Sequence, residues 1–84
     1  VPSTAELKTQ YLALQQEADF ALWRAREANA ETRHAYQRAL DGQGEPPSAE
    51  RLAEVRQLEQ QAEAKYRELR AFLREHFEQL TLLA

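Results

Sequence analysis

Both glycines and two of the three prolines fall in one short cluster, Gly42-Gln43-Gly44-Glu45-Pro46-Pro47, and the third proline is Pro2. The stretches on either side, Thr4 to Leu40 and Ala49 to Leu80, contain neither of the two residues that most strongly oppose a helix. At ~1.5 Å per residue they predict helices roughly 55 and 50 Å long, joined by a connection of a length suited to antiparallel neighbours. The expected fold class is therefore all-α: a two-helix antiparallel hairpin, with helix 1 over about 4–41, a turn at 42–47 and helix 2 over about 48–81. The whole chain then forms one unit.

Local signals agree with that division. Ser3-Thr4-Ala5-Glu6 has the form of a capping box, in which the Ser3 hydroxyl accepts from the Glu6 amide and the Glu6 carboxylate reaches back to the Ser3 amide. Gly42 and Gly44 offer left-handed positions at which helix 1 stops. Ser48 reads as the N-cap of helix 2, with Glu50 placed to meet the helix dipole.

The apolar periodicity predicts how the helices pack. On helix 1, Leu7, Tyr11, Leu14, Ala18, Ala21, Ala25, Ala28, Thr32, Ala35 and Ala39 recur in alternating steps of three and four, which is a heptad seam. On helix 2 the stripe is Leu52, Val55, Leu58, Ala62, Tyr66, Leu69, Leu73, Phe77 and Leu80, mostly large residues. Folding the chain at the Gly/Pro cluster sets small residues against large ones, so an alanine-rich, coiled-coil-like seam draws the backbones together. Leu7, Tyr11 and Leu14 are expected to meet Leu80, Phe77 and Leu73 at the open end.

Helix 1 also carries Leu12, Phe20 and Trp23, which a step of ~100° per residue puts roughly opposite the alanine stripe. Large aromatics of this kind are enriched in the buried anchors of interfaces, so these three are the candidate partner-binding residues. An 84-residue hairpin has a high surface-to-volume ratio, which also argues for a partner. The expected assembly is a homodimer forming a four-helix bundle, or a hetero-oligomer with another helical protein.

Charge and composition exclude several classes. With a formal net charge of −3, the chain has no global positive field to hold a phosphate backbone. The arginines Arg56, Arg67, Arg70 and Arg74 share one flank of helix 2 opposite Glu50, Glu54, Glu68 and Glu75, but Glu63 interrupts the row and no aromatic platform adjoins it, so no nucleic-acid partner is expected. There is no cysteine, hence no disulfide or thiolate chemistry. No apolar run approaches the ~20 residues of a membrane span and no signal-peptide pattern opens at Val1, so a soluble, cytoplasmic chain is expected. The absence of methionine fits either a removed initiator or a piece of a longer protein.

Catalytic and metal sites are not expected. Ser3 and Ser48 are the only serines and are better used as caps. Gly42-Gln43-Gly44 lacks the preceding strand and following Lys of a phosphate loop. Glu31 and His34 have the Glu-x-x-His spacing of carboxylate-bridged metal bundles, but His34 points away from the seam and helix 2 has no matching pair. His76 is expected beside the core, as a packing residue with a wet edge. The sequence reading is thus a non-catalytic interaction module without cofactors, acting as an adaptor, assembly factor or chaperone-like partner.

The layout of two helices around the turn at Pro46-Pro47-Ser48 resembles that of bacterial type III secretion needle subunits and their small hairpin co-chaperones. The resemblance covers the layout and the turn; the alanine seam lies outside it. It implies an alternative role as a filament subunit of a secretion apparatus or as its co-chaperone. A coiled-coil arm of a larger protein, with the tip at 42–45 as its working end, is a third reading.

Overall fold

The computed structural model describes residues 2–81. They form two α-helices, α1 (Thr4–Leu40) and α2 (Ala49–Thr81), packed side by side along their length. They run antiparallel: moving along α1 from Glu17 to Glu31 moves the cross-helix partner from Lys65 back to Arg51 on α2. The body measures 59 × 20 × 14 Å, with a radius of gyration of 18.5 Å. A compact chain of this length would have a radius near ~12 Å, so the molecule is a rod.

The helix ends are held by specific hydrogen bonds. At the start of α1 the Glu6 amide donates to Ser3 Oγ at 3.1 Å and the Ser3 amide donates to Glu6 Oε2 at 3.4 Å, closing a capping box. At its end the Gln43 amide donates to the Arg38 carbonyl at 2.8 Å and the Gly42 amide to the Ala39 carbonyl at 3.1 Å, with Gly42 at φ 73°. This is a Schellman stop, which requires a left-handed residue at the position Gly42 fills. Nothing lies within 4 Å of where a Gly42 Cβ would sit, so the requirement for glycine is conformational and not steric. α2 restarts on Ser48, whose Oγ accepts from the Arg51 amide at 3.0 Å and whose carbonyl accepts from the Leu52 amide at 3.0 Å.

The core is a thin strip. Leu7, Ala18, Ala25 and Ala28 of α1 and Val55, Ala62 and Leu69 of α2 are its buried apolar residues, and four of the seven are alanines. Tyr11, Leu14, Ala21, Thr32, Ala35 and Ala39 on α1, and Leu52, Leu58, Tyr66, Leu73 and Leu80 on α2, flank them half-buried. A buried alanine methyl contributes about 0.8 kcal/mol, against about 1.5–3 kcal/mol for a buried Leu or Val, so close approach here brings little hydrophobic stabilisation per layer. Among the described residues no polar or charged side chain is buried.

One seam residue departs from the sequence expectation. Phe77 is 61% exposed, while Phe72 and His76 are half-buried. Val55, Ala62 and Leu69 follow strict seven-residue spacing, and seven more residues lead to His76. Seven steps of an α-helix return to within ~20° of the starting face, whereas eight overshoot by ~80°, so extending the stripe from Leu69 through Leu73 to Phe77 leaves the contact line. Phe72 instead packs against His76 in a tilted contact, with ring centroids 4.7 Å apart and planes at 51°.

Candidate protein-interaction surface

The hairpin fixes its own register through its flanks. On one side Lys65 Nζ lies 3.1 Å from Glu17 Oε2, and Arg51 Nη2 lies 2.8 Å from Glu31 Oε2. Arg51 also reaches Glu54 at 3.0 Å, one turn along α2. On the other side the Tyr66 hydroxyl donates to Asp19 Oδ1 at 2.5 Å. The hydrogen bond and charge of Glu17, helped by Glu68, raise the pKa of Lys65 above the ordinary lysine value. The hydrogen bond to Asp19, together with desolvation and the aspartate charge, raises that of Tyr66, and Arg26 nearby acts in the opposite sense. These contacts are solvent-exposed, so their role is alignment more than stability.

Outside the seam the chain displays large apolar side chains. Phe20 is 59% exposed and Trp23 57%, yet the two rings stack on each other with centroids 6.0 Å apart and planes 24° from parallel. Neighbouring apolar side chains three apart on a helix meet in this way, and the pair forms a preformed aromatic ledge on the outer face of α1.

Leu12, the third candidate partner-binding residue, is exposed as they are and lies within ~20° of Trp23 around α1, three turns nearer its start. It lines a groove of about 350 Å³ at the open end, together with Tyr11, Leu73, Phe77 and Leu80. Leu12 borders α2 on one flank of α1, at Leu73, Phe77 and Leu80, while Phe20 borders it on the other, at Lys65 and Glu68. The structure therefore holds two apolar surfaces: the Phe20–Trp23 ledge and the Leu12–Phe77 groove. Phe77, displaced from the seam, is what completes the second.

The third surface is charged. A groove of about 730 Å³ between the helices is lined by Arg26, Arg56 and Arg70, but also by Glu59, Glu63 and Tyr66. Its interleaved signs make it self-compensating rather than a uniform cradle for anions. Glu31 is committed to Arg51, and His34 is exposed.

Sequence reasoning overlooked Arg51, Lys65 and Phe72. The first two were findable by asking which charges face each other across an antiparallel seam. Phe72 was findable as the residue three after Leu69, next in the three-and-four alternation toward His76.

Set against known proteins, the chain matches no protein-family model, and no significant match to a curated protein or a solved structure was found. The class defined by fold and surface is accordingly a physical one: an extended helical hairpin with exposed hydrophobic residues, consistent with a partner-binding module. Among the described residues, neither helix is long and apolar enough to cross a membrane.

Proposed function

We propose that this chain is a non-catalytic protein–protein interaction module: a self-associating helical hairpin that dimerises about a two-fold axis, brings four helices together, and serves as an adaptor, assembly factor or chaperone-like partner. The observation that carries the reading is the Phe20–Trp23 ledge, two large stacked rings each more than half exposed on a rod whose own core is largely alanine. Rigid aromatic ledges are the residues interfaces use as anchors, and exposed apolar patches mark interaction sites. A closed two-fold assembly covers such a surface without leaving a second copy of it open.

Sedimentation equilibrium over a wide concentration range tests this directly. A discrete dimer at micromolar concentration is the expected result. A stably folded chain that remains monomeric throughout overturns self-association, and open-ended growth with concentration replaces it with the filament alternative.

A further inference from the structure

We propose that the two copies pair antiparallel through the outer faces of their α1 helices, in the one register that lays Phe20 of each copy on Trp23 of the other. The proposal rests on the self-association reading and specifies its geometry.

Phe20 and Trp23 belong to a second run of alternating three- and four-residue steps on α1, through Ala13, Gln16, Glu27 and Ala30. Such a run is a seam in its own right, facing away from the one that holds α2. Two rows of charge flank it. One is Glu17, Arg24 and Glu31; the other is Asp19, Arg26 and Arg33.

When α1 meets a second α1 antiparallel with Phe20 on Trp23, every other pairing follows. Ala13 falls opposite Ala30, and these small residues let the helices close around the four rings. Gln16 falls opposite Glu27, a donor against an acceptor. In the flanking rows beside the four rings, Glu17 meets Arg24 and Asp19 meets Arg26, each twice by symmetry, so these four contacts join opposite charges. Sliding the pair by one heptad in one direction sets Arg24 on Arg24 and Arg26 on Arg26; sliding it in the other sets Glu17 on Glu17 and Asp19 on Asp19. A parallel pair stacks Glu27 on Glu27 inside the seam. Charge complementarity thus selects the same register that the aromatic pair selects, and like charges oppose its neighbours.

The groups needed are at hand in the single hairpin. Among the described residues Arg24 and Arg26 take part in no ion pair, whereas Lys65 occupies only Oε2 of Glu17 and Tyr66 only Oδ1 of Asp19. The second oxygen of each carboxylate is left for a guanidinium from the other copy. Because this second run lies on α1 roughly opposite the buried Ala18, Ala25 and Ala28, the two α1 helices lie inside the assembly and the two α2 helices outside.

The chain has no cysteine, so disulfide trapping reads the register cleanly. Ala13→Cys and Ala30→Cys chains are each prepared alone and then mixed under a glutathione redox buffer, with sedimentation run in parallel. The expected result is rapid cross-linking in the mixture and little in either variant alone. Efficient cross-linking of Ala13→Cys with itself overturns the antiparallel arrangement. A dimer by sedimentation that traps neither combination overturns the register while leaving self-association standing, and a monomer overturns both. Arg24→Glu, which places like charges at both symmetry-related contacts, is expected to weaken the dimer about tenfold with helicity retained. Unchanged affinity in that variant overturns the charge pairing.

Discussion

The two faces of α1 invert the usual order of a globular helix. Beyond the buried Leu7 near its start, the face turned to α2 buries Ala18, Ala25 and Ala28, while the opposite face of the same stretch carries Phe20 and Trp23. Apolar bulk ordinarily goes where water is excluded, because the stabilisation grows with the area removed from water. Here the inner face is used for closeness and the outer face for bulk. The difference teaches that the hairpin's inner contact is a matter of fit and alignment, whereas its largest unspent hydrophobic stabilisation lies on the outside, available to a partner.

The largest effect that separates the two faces is expected on the outside. Replacing Phe20 and Trp23 together with serine removes both anchors, and anchor residues of this kind cost about 2–4 kcal/mol of association when truncated. The far-ultraviolet circular dichroism of the dilute, dissociated hairpin should stay as helical as before, because both rings are more than half exposed and lie outside the seam that holds α2. If the double variant assembles like the parent in sedimentation, the outer face is plain surface. If it loses helix, the ledge holds the hairpin together and the contrast collapses.

On the inside the expected defect is overpacking. Ala25→Leu or Ala28→Leu forces volume into a contact between closely spaced backbones and should lower unfolding stability by about 1–3 kcal/mol. Ala71→Leu on the exposed side of α2 is the control, since Ala and Leu have similar helix propensities and only packing distinguishes the sites. Equal urea midpoints for all three variants would remove the alanine seam from the account of the fold.

The turn gives a smaller test of what aligns that seam. Gly42→Ala meets no neighbouring atom but must adopt φ 73°, at a cost of about 1–2 kcal/mol. Gly44→Ala, whose Cβ would come no nearer than 4.0 Å to Arg38 Cβ and whose φ is not left-handed, should cost less. A reversed order in thermal unfolding would mean that the Schellman stop does not terminate α1 in solution.

Much of this architecture was legible in the sequence because it depends on short-range rules. The Gly42 stop, the Ser3 and Ser48 caps and the breaker-free stretches each involve residues within a turn of one another. The register of α1 was also readable, since its stripe alternates in threes and fours from Leu7 to Ala39 without a break. α2 was harder because large apolar residues occur on two adjoining lines beyond Leu69. Phe77 attracts the eye by its size, yet the ~80° offset of an eight-residue step takes it off the contact, and Phe72 with His76 holds the inner line instead. The Glu17–Lys65 and Glu31–Arg51 pairs join distant parts of the chain and need the antiparallel pairing before they can be seen.

The smallest effect concerns pH and probes the flanks that align the inner face. Lys65 and Tyr66 both have pKa values raised in the folded hairpin, Lys65 by Glu17 and Tyr66 by Asp19. A folded pKa above the unfolded one means that, between the two, the folded state holds the proton and the unfolded state has released it. Stability therefore falls as pH rises through that window. For both groups the contribution is fully present below the unfolded values near pH ~10 and is lost above the folded ones. Urea midpoints should then be level from neutral pH to about pH 9 and decline toward pH 11, with only a modest fall because both side chains are solvent-exposed. Tyr66→Phe removes one of the two titrating groups and should flatten the decline in part; Lys65→Met in addition should flatten it further. A decline of the same slope in the parent and in the Tyr66→Phe chain would show that the Tyr66–Asp19 hydrogen bond is not held in solution, and that flank of the hairpin would then play no part in setting the alignment.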